Sequence, residues 1–172
     1  MISLLLALAL QTAPAPAQAA AGWVYKESTD PAKPKSASAT ATDSDGARLL
    51  IRCDTAAQPI VSVQFLPKPA MAAGDSRIVT LTFDSAQADM TEWQFPGRGA
   101  YNGEPVEVFM IVSQIVKAKS IDVALDDGAG NTIGGNFVGP AGDETLVRKV
   151  YAACGLPYAM PAATPSAPPA KQ

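Results

Sequence analysis

The sequence predicts an α+β fold: a β-rich single domain of about six to eight mostly antiparallel strands, sandwich-like, with one or two short helices and one disulfide. Two observations carry this prediction. Short segments of alternating apolar and polar residues recur along the chain, and clusters of glycine, proline and aspartate separate them. The chain also has only two cysteines, Cys53 and Cys154, which lie near the two ends of the patterned region.

The first 19 residues have the pattern of a secretory signal peptide. Residues 4–10 are an unbroken apolar run, and residues 17–19 have the small-x-small form that signal peptidase recognises. Pro14 and Pro16 would interrupt a buried helix. The apolar run is also far shorter than the about 20 residues that a membrane-spanning helix needs. We therefore expect cleavage after Ala19 and a periplasmic or secreted protein without a stable membrane anchor.

Export bears directly on the two cysteines, because a cysteine pair in an oxidising compartment usually forms a disulfide. Closing a loop of about 100 residues is worth on the order of 4 to 5 kcal/mol in the chain-entropy description. A redox or nucleophilic role has no CxxC motif to support it, and the chain contains no histidine. The sequence therefore predicts a structural disulfide between Cys53 and Cys154.

Composition argues against several classes of function. The chain has 13 basic and 16 acidic residues, a formal net charge of −3, and no basic cluster, so neither nucleic acid nor an anionic membrane surface is an expected partner. The absence of histidine removes the Ser-His-Asp and Cys-His arrangements, the common zinc sites and the usual general base at neutral pH. We therefore expect a protein that is not an enzyme and uses no cofactor and no metal.

The strands are predicted in order from residues 23–28 onward. Residues 36–42 alternate Ala with Ser or Thr, and residues 43–46 supply turn chemistry before residues 47–53 return as the next strand, so these two strands form a hairpin. Alternating or β-rich runs predict the following strands: residues 60–66, 77–83, 91–95, 120–126 and 132–138. Residues 127–131 turn the chain between the last two, so they also form a hairpin.

Two segments are predicted to be helical. Residues 106–112 would pass for a buried strand, but helical spacing of the apolar residues favours a short helix over residues 104–117. The second helix begins near Asp143, which can cap it, and ends at Gly155, so that Cys154 faces the core. Residues 96–105 hold three glycines and are expected to form an irregular, exposed loop.

Two groups of residues are weighed as candidates for a site, one aromatic and one rich in side-chain oxygen atoms. We expect Trp23 in the core, whereas Trp93 and Tyr101 form a candidate binding surface because they flank the predicted glycine-rich loop. Asp126, Asp127 and Asn131 gather oxygen atoms, but their spacing does not match a calcium loop and predicts a hairpin turn.

Residues 157–172 are rich in proline and alanine and are predicted to be a disordered tail. The predicted domain therefore covers residues 20–156. Removal of the chain from Pro157 onward is then expected to leave the melting temperature unchanged.

A set of short motifs resembles a known family. Trp23 with Ser28 and Asp30, followed by residues 50–53 (Leu-Ile-Arg-Cys), resembles the opening of the VasI family of exported accessory proteins of type VI secretion. The later order is similar as well: an apolar helix, a β-hairpin ending near Phe137, and a last helix that closes on Cys154. The resemblance supports the disulfide and an α+β domain, and it implies no catalytic residue.

These observations predict an exported, disulfide-bonded, non-enzymatic envelope accessory or protein-binding domain, with an envelope protein as its partner. The alternative is a periplasmic small-ligand-binding protein whose pocket is rimmed by Trp93 and Tyr101. An exposed apolar patch on a strand face would favour a protein partner, whereas a closed aromatic pocket would favour a ligand.

Overall fold

The computed structural model describes residues 22–28 and 30–162, so the predicted signal peptide and residues 163–172 of the predicted tail lie outside the described residues. Within them the chain is β-rich with two helices, which confirms the predicted α+β class. The strands are β1 (Trp23–Glu27), β2 (Ser36–Thr42), β3 (Arg48–Asp54), β4 (Ile60–Leu66), β5 (Gly74–Phe83), β6 (Asp89–Gly97), β7 (Gly99–Asn102), β8 (Ser120–Asp126) and β9 (Thr132–Val138). The helices are α1 (Pro105–Lys117) and α2 (Thr145–Ala153).

In the described residues nine strands form one continuous antiparallel sheet, in the order β1-β2-β3-β4-β7-β6-β5-β8-β9. This differs from a sandwich of two separate sheets, but the two halves of the sheet still face each other. Phe65 of β4 contacts Phe137 of β9 with ring centroids 6.2 Å apart, although four strands stand between β4 and β9 in the sheet. The indole N–H of Trp23 in β1 donates to the carbonyl oxygen of Val138 at 2.8 Å, so the first and last strands of the order also meet. The curved sheet therefore encloses the core on its inner face.

The stretch expected to be an exposed loop at residues 96–105 is mostly strand, so that expectation was wrong. β6 continues to Gly97, and β7 inserts between β4 and β6 with Ala100 only 1% exposed. The physical reason lies at Gly99, whose backbone approaches β4 so closely that a Cβ atom there would overlap the Phe65 carbonyl oxygen. Glycine therefore allows close packing of the strands here. The sequence did not predict β7, and its presence helps to raise the number of strands above the expected six to eight.

Both helices occur where the sequence predicts them. α1 begins at Pro105, a favoured first helical residue, and its buried face closes the core against β4. The buried residues of α1 are Val108, Ile111, Val112, Ile115 and Val116. Glu144 occupies the N-cap position of α2, but its side chain makes no capping hydrogen bond. As the sequence predicts, it is Asp143 that satisfies a backbone donor of the first turn, since its Oδ1 accepts a hydrogen bond from the Thr145 backbone N–H at 2.8 Å. Gly155, with φ of +66°, ends the helix as expected.

The predicted disulfide is present between Cys53 of β3 and Cys154 at the C-terminal cap of α2, with their Cα atoms 5.7 Å apart. Both residues are buried. The bond joins the third strand of the chain to the last helix, which packs across β1, β2 and β3. It therefore fixes α2 over one half of the inner face of the sheet.

Candidate functional site

Trp93 lies in the core and takes no part in a binding surface. Its side chain is 0% exposed, and its indole N–H donates to the Thr91 hydroxyl at 2.7 Å. The neighbouring Glu92 and Gln94 are exposed, because successive residues of a strand point to opposite faces and the polar pair takes the outer one. This corrects the expectation that Trp93 would rim a pocket.

Tyr101 lies on the outer face of β7, half-buried, between Gln64 of β4 and Gln94 of β6. It borders a polar cavity of about 540 Å³ that also contains Asn102 and Glu107. Asn102 is only 4% exposed; its Nδ2 donates to Glu107 Oε2 at 2.7 Å, and its Oδ1 accepts from the Glu104 backbone N–H at 3.0 Å. The amide thus has its own partners within the protein and joins β7 to the start of α1.

A second cavity, of about 330 Å³, lies between the start of β4, the start of α1 and the segment that follows α2. We call it the apolar pocket, because no charged side chain lines it in the described residues. Its wall includes Val61, Val108, Phe109, Tyr151 and Leu156, together with most of residues 157–162. The pocket therefore brings together three segments that are far apart in the sequence.

The segment after α2 is held in place by an aromatic cluster. The Tyr158 ring packs against Phe109 and Tyr151, with ring centroids 5.6 and 5.1 Å apart, and the Arg148 guanidinium lies 5.3 Å above the Tyr158 ring. Arg148 is itself oriented by Glu144, whose Oε2 accepts from its Nε at 2.7 Å. Ordered packing thus continues beyond residue 156, where the domain was expected to end.

The hydroxyl groups of this cluster stay neutral over a wide pH range. Burial, and to a smaller extent the neighbouring Tyr158, raises the pKa of Tyr151 to about 12. Burial and then Glu144 raise the pKa of Tyr158, while Arg148 opposes them. Neither tyrosine is suited to act as a base near neutral pH, because neither loses its proton there. The chemistry that the pocket offers is therefore apolar contact.

Four large apolar side chains remain exposed around the pocket, and we call them the apolar rim. They are Ile60, Val106, Met110 and Met160, which are 44 to 50% exposed. Ile60 and Met160 line the pocket itself. Val106 and Met110 lie one turn apart on α1, beside the pocket-lining Phe109. Two residues of the rim thus line the pocket, and the other two lie on α1 next to residues that line it.

The remaining candidates of the sequence have structural roles. The Asp127 carboxylate accepts backbone hydrogen bonds from Ala129 at 2.7 Å and Asn131 at 3.0 Å, and the Asn131 amide and these bonds lower the pKa of Asp127. This is the predicted hairpin turn. Among the described residues no cluster of three or more His, Cys, Asp or Glu is arranged to hold a metal ion. Neither described helix is long and apolar enough to cross a membrane.

No family model, no curated protein and no solved structure matches this chain. The resemblance to the VasI family therefore stays a prediction, carried by residues in and beside β1 and in β3. The function must be argued from the geometry of the chain itself.

Sequence reasoning missed the apolar pocket because its wall contains residues that were assigned to the tail. Tyr158 and Met160 were the available signal, since they are the large apolar residues in a stretch otherwise rich in proline and alanine. The partners of Tyr158 come from both helices and are distant along the chain. Periodicity within one segment does not reveal such a contact.

Ending the chain after Leu156 is expected to destabilise the protein, contrary to the expectation for a disordered tail. The change removes Tyr158 and with it two aromatic contacts, so the free energy of unfolding should fall by about 1 to 3 kcal/mol. The measurement is urea unfolding of the oxidised protein followed by circular dichroism. A chain ending after Ala162 keeps the cluster and should match the full chain. Equal stability of the two truncations would show that the cluster contributes nothing.

Proposed function

We propose that this protein is an exported, non-enzymatic binding module that acts in the periplasm or outside the cell as an envelope accessory, and that its apolar pocket holds an apolar segment of a partner protein. The observation that carries the proposal is the apolar pocket of about 330 Å³ with its rim of four exposed apolar side chains. Exposed apolar side chains grouped at an apolar pocket are typical of binding sites on soluble proteins.

The energetics favour insertion of a side chain over surface contact alone. Full burial of one Leu, Phe or Met side chain of a partner is worth about 1.5 to 3 kcal/mol, and the pocket already provides the walls for it. Phe109 supplies an aromatic wall, and Met110 and Met160 supply flexible apolar side chains that adapt to the shape of an occupant. Binding residues of this kind need no catalytic group, which agrees with the absence of histidine from the chain.

The disulfide supports both the location and the site. A buried disulfide is typical of proteins that fold in an oxidising compartment. Through α2 it also fixes Tyr151 and the residues that follow, which form one wall of the pocket. A pocket held in shape before binding loses less conformational entropy when the partner arrives.

A small apolar ligand is the second candidate. The pocket volume lies near the lower end of the about 300 to 1,000 Å³ that is usual for ligand sites, and aromatic side chains line it. The exposed rim favours a protein partner over this alternative, since a small ligand would leave Val106 and Met110 uncovered.

The proposal is tested by site-specific photo-crosslinking in the cells that produce the protein. A photoreactive phenylalanine analogue at Met160 should form one dominant crosslinked species with another protein in the envelope fraction. Met110→Asp should reduce its yield at least about tenfold, because it places a charge on the rim. Ile78→Asp is the matched control: Ile78 is 52% exposed on β5 and does not line the pocket, so the yield should not change.

Two results would contradict the proposal. One is the absence of any protein crosslink at Met160 while the analogue placed at Ile78 gives one. The other is a small apolar molecule that copurifies with the wild-type protein and is lost in the Met110→Asp variant, which would favour the ligand-binding alternative.

A further inference from the structure

The free edge of β9 presents unpaired backbone groups. β9 is the last strand of the sheet and pairs only with β8. The Gly139 backbone N–H donates to the Lys119 carbonyl oxygen at 2.8 Å. In an antiparallel pair, hydrogen-bonded and non-hydrogen-bonded residue pairs alternate, so this bond shows which residues of β9 direct their backbone groups toward β8. It follows that the N–H and C=O groups of Thr132, Gly134, Asn136 and Val138 point away from β8.

One end of this edge is occupied by a hydrogen bond within the described part of the chain. The Val138 carbonyl accepts the hydrogen bond from the Trp23 indole. The structure describes no hydrogen bond to the outward backbone groups of Thr132, Gly134 and Asn136, and all three residues are exposed. The open part of the edge is therefore the stretch from Thr132 to Asn136.

This edge lacks the devices that usually prevent strand pairing. β9 contains no lysine and no proline, and its register with β8 runs without a bulge. The other outer strand, β1, differs, since it carries Lys26 and Glu27, and Tyr25 lies beneath the Lys149 ammonium of α2. The two edges of the sheet are thus unequal, and β9 is the one open to addition.

A groove lies at the β8–β9 hairpin and includes residues of the open stretch. It has a volume of about 480 Å³ and includes Gly134 and Asn136 of β9. Asp43 and Asp45 of the β2–β3 turn and Asp122 of β8 also line it. Asp43 lies close to β9, since its Oδ2 would be 2.8 Å from a Cβ atom placed on Gly135. No basic residue lines this groove in the described residues, so its charge is negative.

We propose that the β9 edge takes up an extended, basic segment of a partner protein, which pairs with Thr132, Gly134 and Asn136 as an additional strand. Main-chain hydrogen bonds to the edge give affinity, as in other cases of strand addition. The three carboxylates of the groove select lysine or arginine side chains on the added segment. This surface is separate from the apolar pocket, and the inference does not rest on the function proposed for that pocket.

The test uses an eight-residue peptide of alternating lysine and valine, blocked at both ends and labelled for fluorescence anisotropy. It should bind the oxidised protein, whereas an alternating glutamate and valine peptide should not. Methylation of the backbone nitrogens on one edge of the lysine peptide should weaken binding roughly tenfold or more, because it removes several main-chain donors. The same methylation on the other edge should have a smaller effect, since only one edge faces β9.

Variants of the protein locate the binding site. Asp45→Asn and Asp122→Asn should each weaken binding by about twofold to fivefold, and added salt should weaken it further. Asp75→Asn is the control, since Asp75 is an exposed acid outside the groove. Met110→Asp should leave peptide affinity unchanged, which separates this site from the apolar pocket.

Equal binding of the peptide and both its methylated forms would overturn the proposal and show a diffuse electrostatic attraction instead. Affinities of the Asp45→Asn and Asp122→Asn variants that equal that of Asp75→Asn would also overturn it. Circular dichroism and unfolding midpoints of the variants verify that each one is folded before binding is compared.

Discussion

Replacing Cys53 and Cys154 together by alanine is expected to lower the free energy of unfolding by about 4 to 5 kcal/mol. The disulfide closes a loop with a sequence separation of 101 residues, so its removal restores a large amount of conformational freedom to the unfolded chain. A loss of this size is comparable to the whole stability of a marginal domain. We expect the double variant to be partly unfolded at 37 °C.

The loss should be greatest where the disulfide holds the fold together. α2 contributes three buried side chains, Val147, Val150 and Tyr151, and its far end is bonded to β3. Without the bond, only non-covalent contacts hold α2 and the Tyr158 cluster in place. Hydrogen exchange should therefore show the amides of α2 losing protection before those of the β3–β4 ladder.

The measurement is urea unfolding of the wild-type protein and the double alanine variant, each with and without a thiol reductant. The oxidised wild type should unfold at the highest urea concentration, and the reduced wild type should approach the variant. The variant is its own control, because reductant should not change its midpoint. A variant as stable as the oxidised wild type would contradict the structural role of the bond.

Local features of the fold could be predicted from the sequence because local chemistry determines them. The strand Ser36–Thr42 was predicted with the bounds that the structure shows, since Ala alternates with Ser or Thr and a turn follows. α1 was placed correctly by the helical spacing of its apolar residues, even though its first half resembles a buried strand. The disulfide is not local, but it followed from the predicted export and from the presence of only two cysteines, which leave one possible pair.

Other features that depend on contacts between distant segments were not predictable. Gly99 was assigned to a loop because glycine usually favours turns, yet here it allows β7 to approach Phe65. The apolar pocket needs β4, α1 and the segment after α2 to meet, and no pattern within one segment encodes that meeting. The same is true of the β9 edge, which is free only because of its place in the strand order.

Trp93→Ala is expected to lower the free energy of unfolding by about 3 to 5 kcal/mol, whereas Tyr101→Ala should lower it by about 1 kcal/mol or less. Trp93 is 0% exposed, so its removal leaves a large cavity and also leaves the Thr91 hydroxyl without its donor. Tyr101 lies half-buried on the outer face, where solvent can fill the space of a missing ring. Trp93 and Tyr101, which the sequence predicts to share one surface, should therefore differ strongly in how much each contributes to the free energy of unfolding.

Chemical unfolding of the two alanine variants measures this difference, and tryptophan fluorescence provides an independent readout. The chain has two tryptophans, Trp23 at 2% and Trp93 at 0% exposure, so the folded protein should emit at short wavelength and resist quenching by acrylamide. A Trp93→Phe variant should keep the blue-shifted emission of Trp23 alone. If Trp93→Ala unfolded at the same midpoint as Tyr101→Ala, or if half of the emission were readily quenched, Trp93 would lie at the surface. The aromatic-rimmed site would then replace the apolar pocket as the first place to look for a ligand.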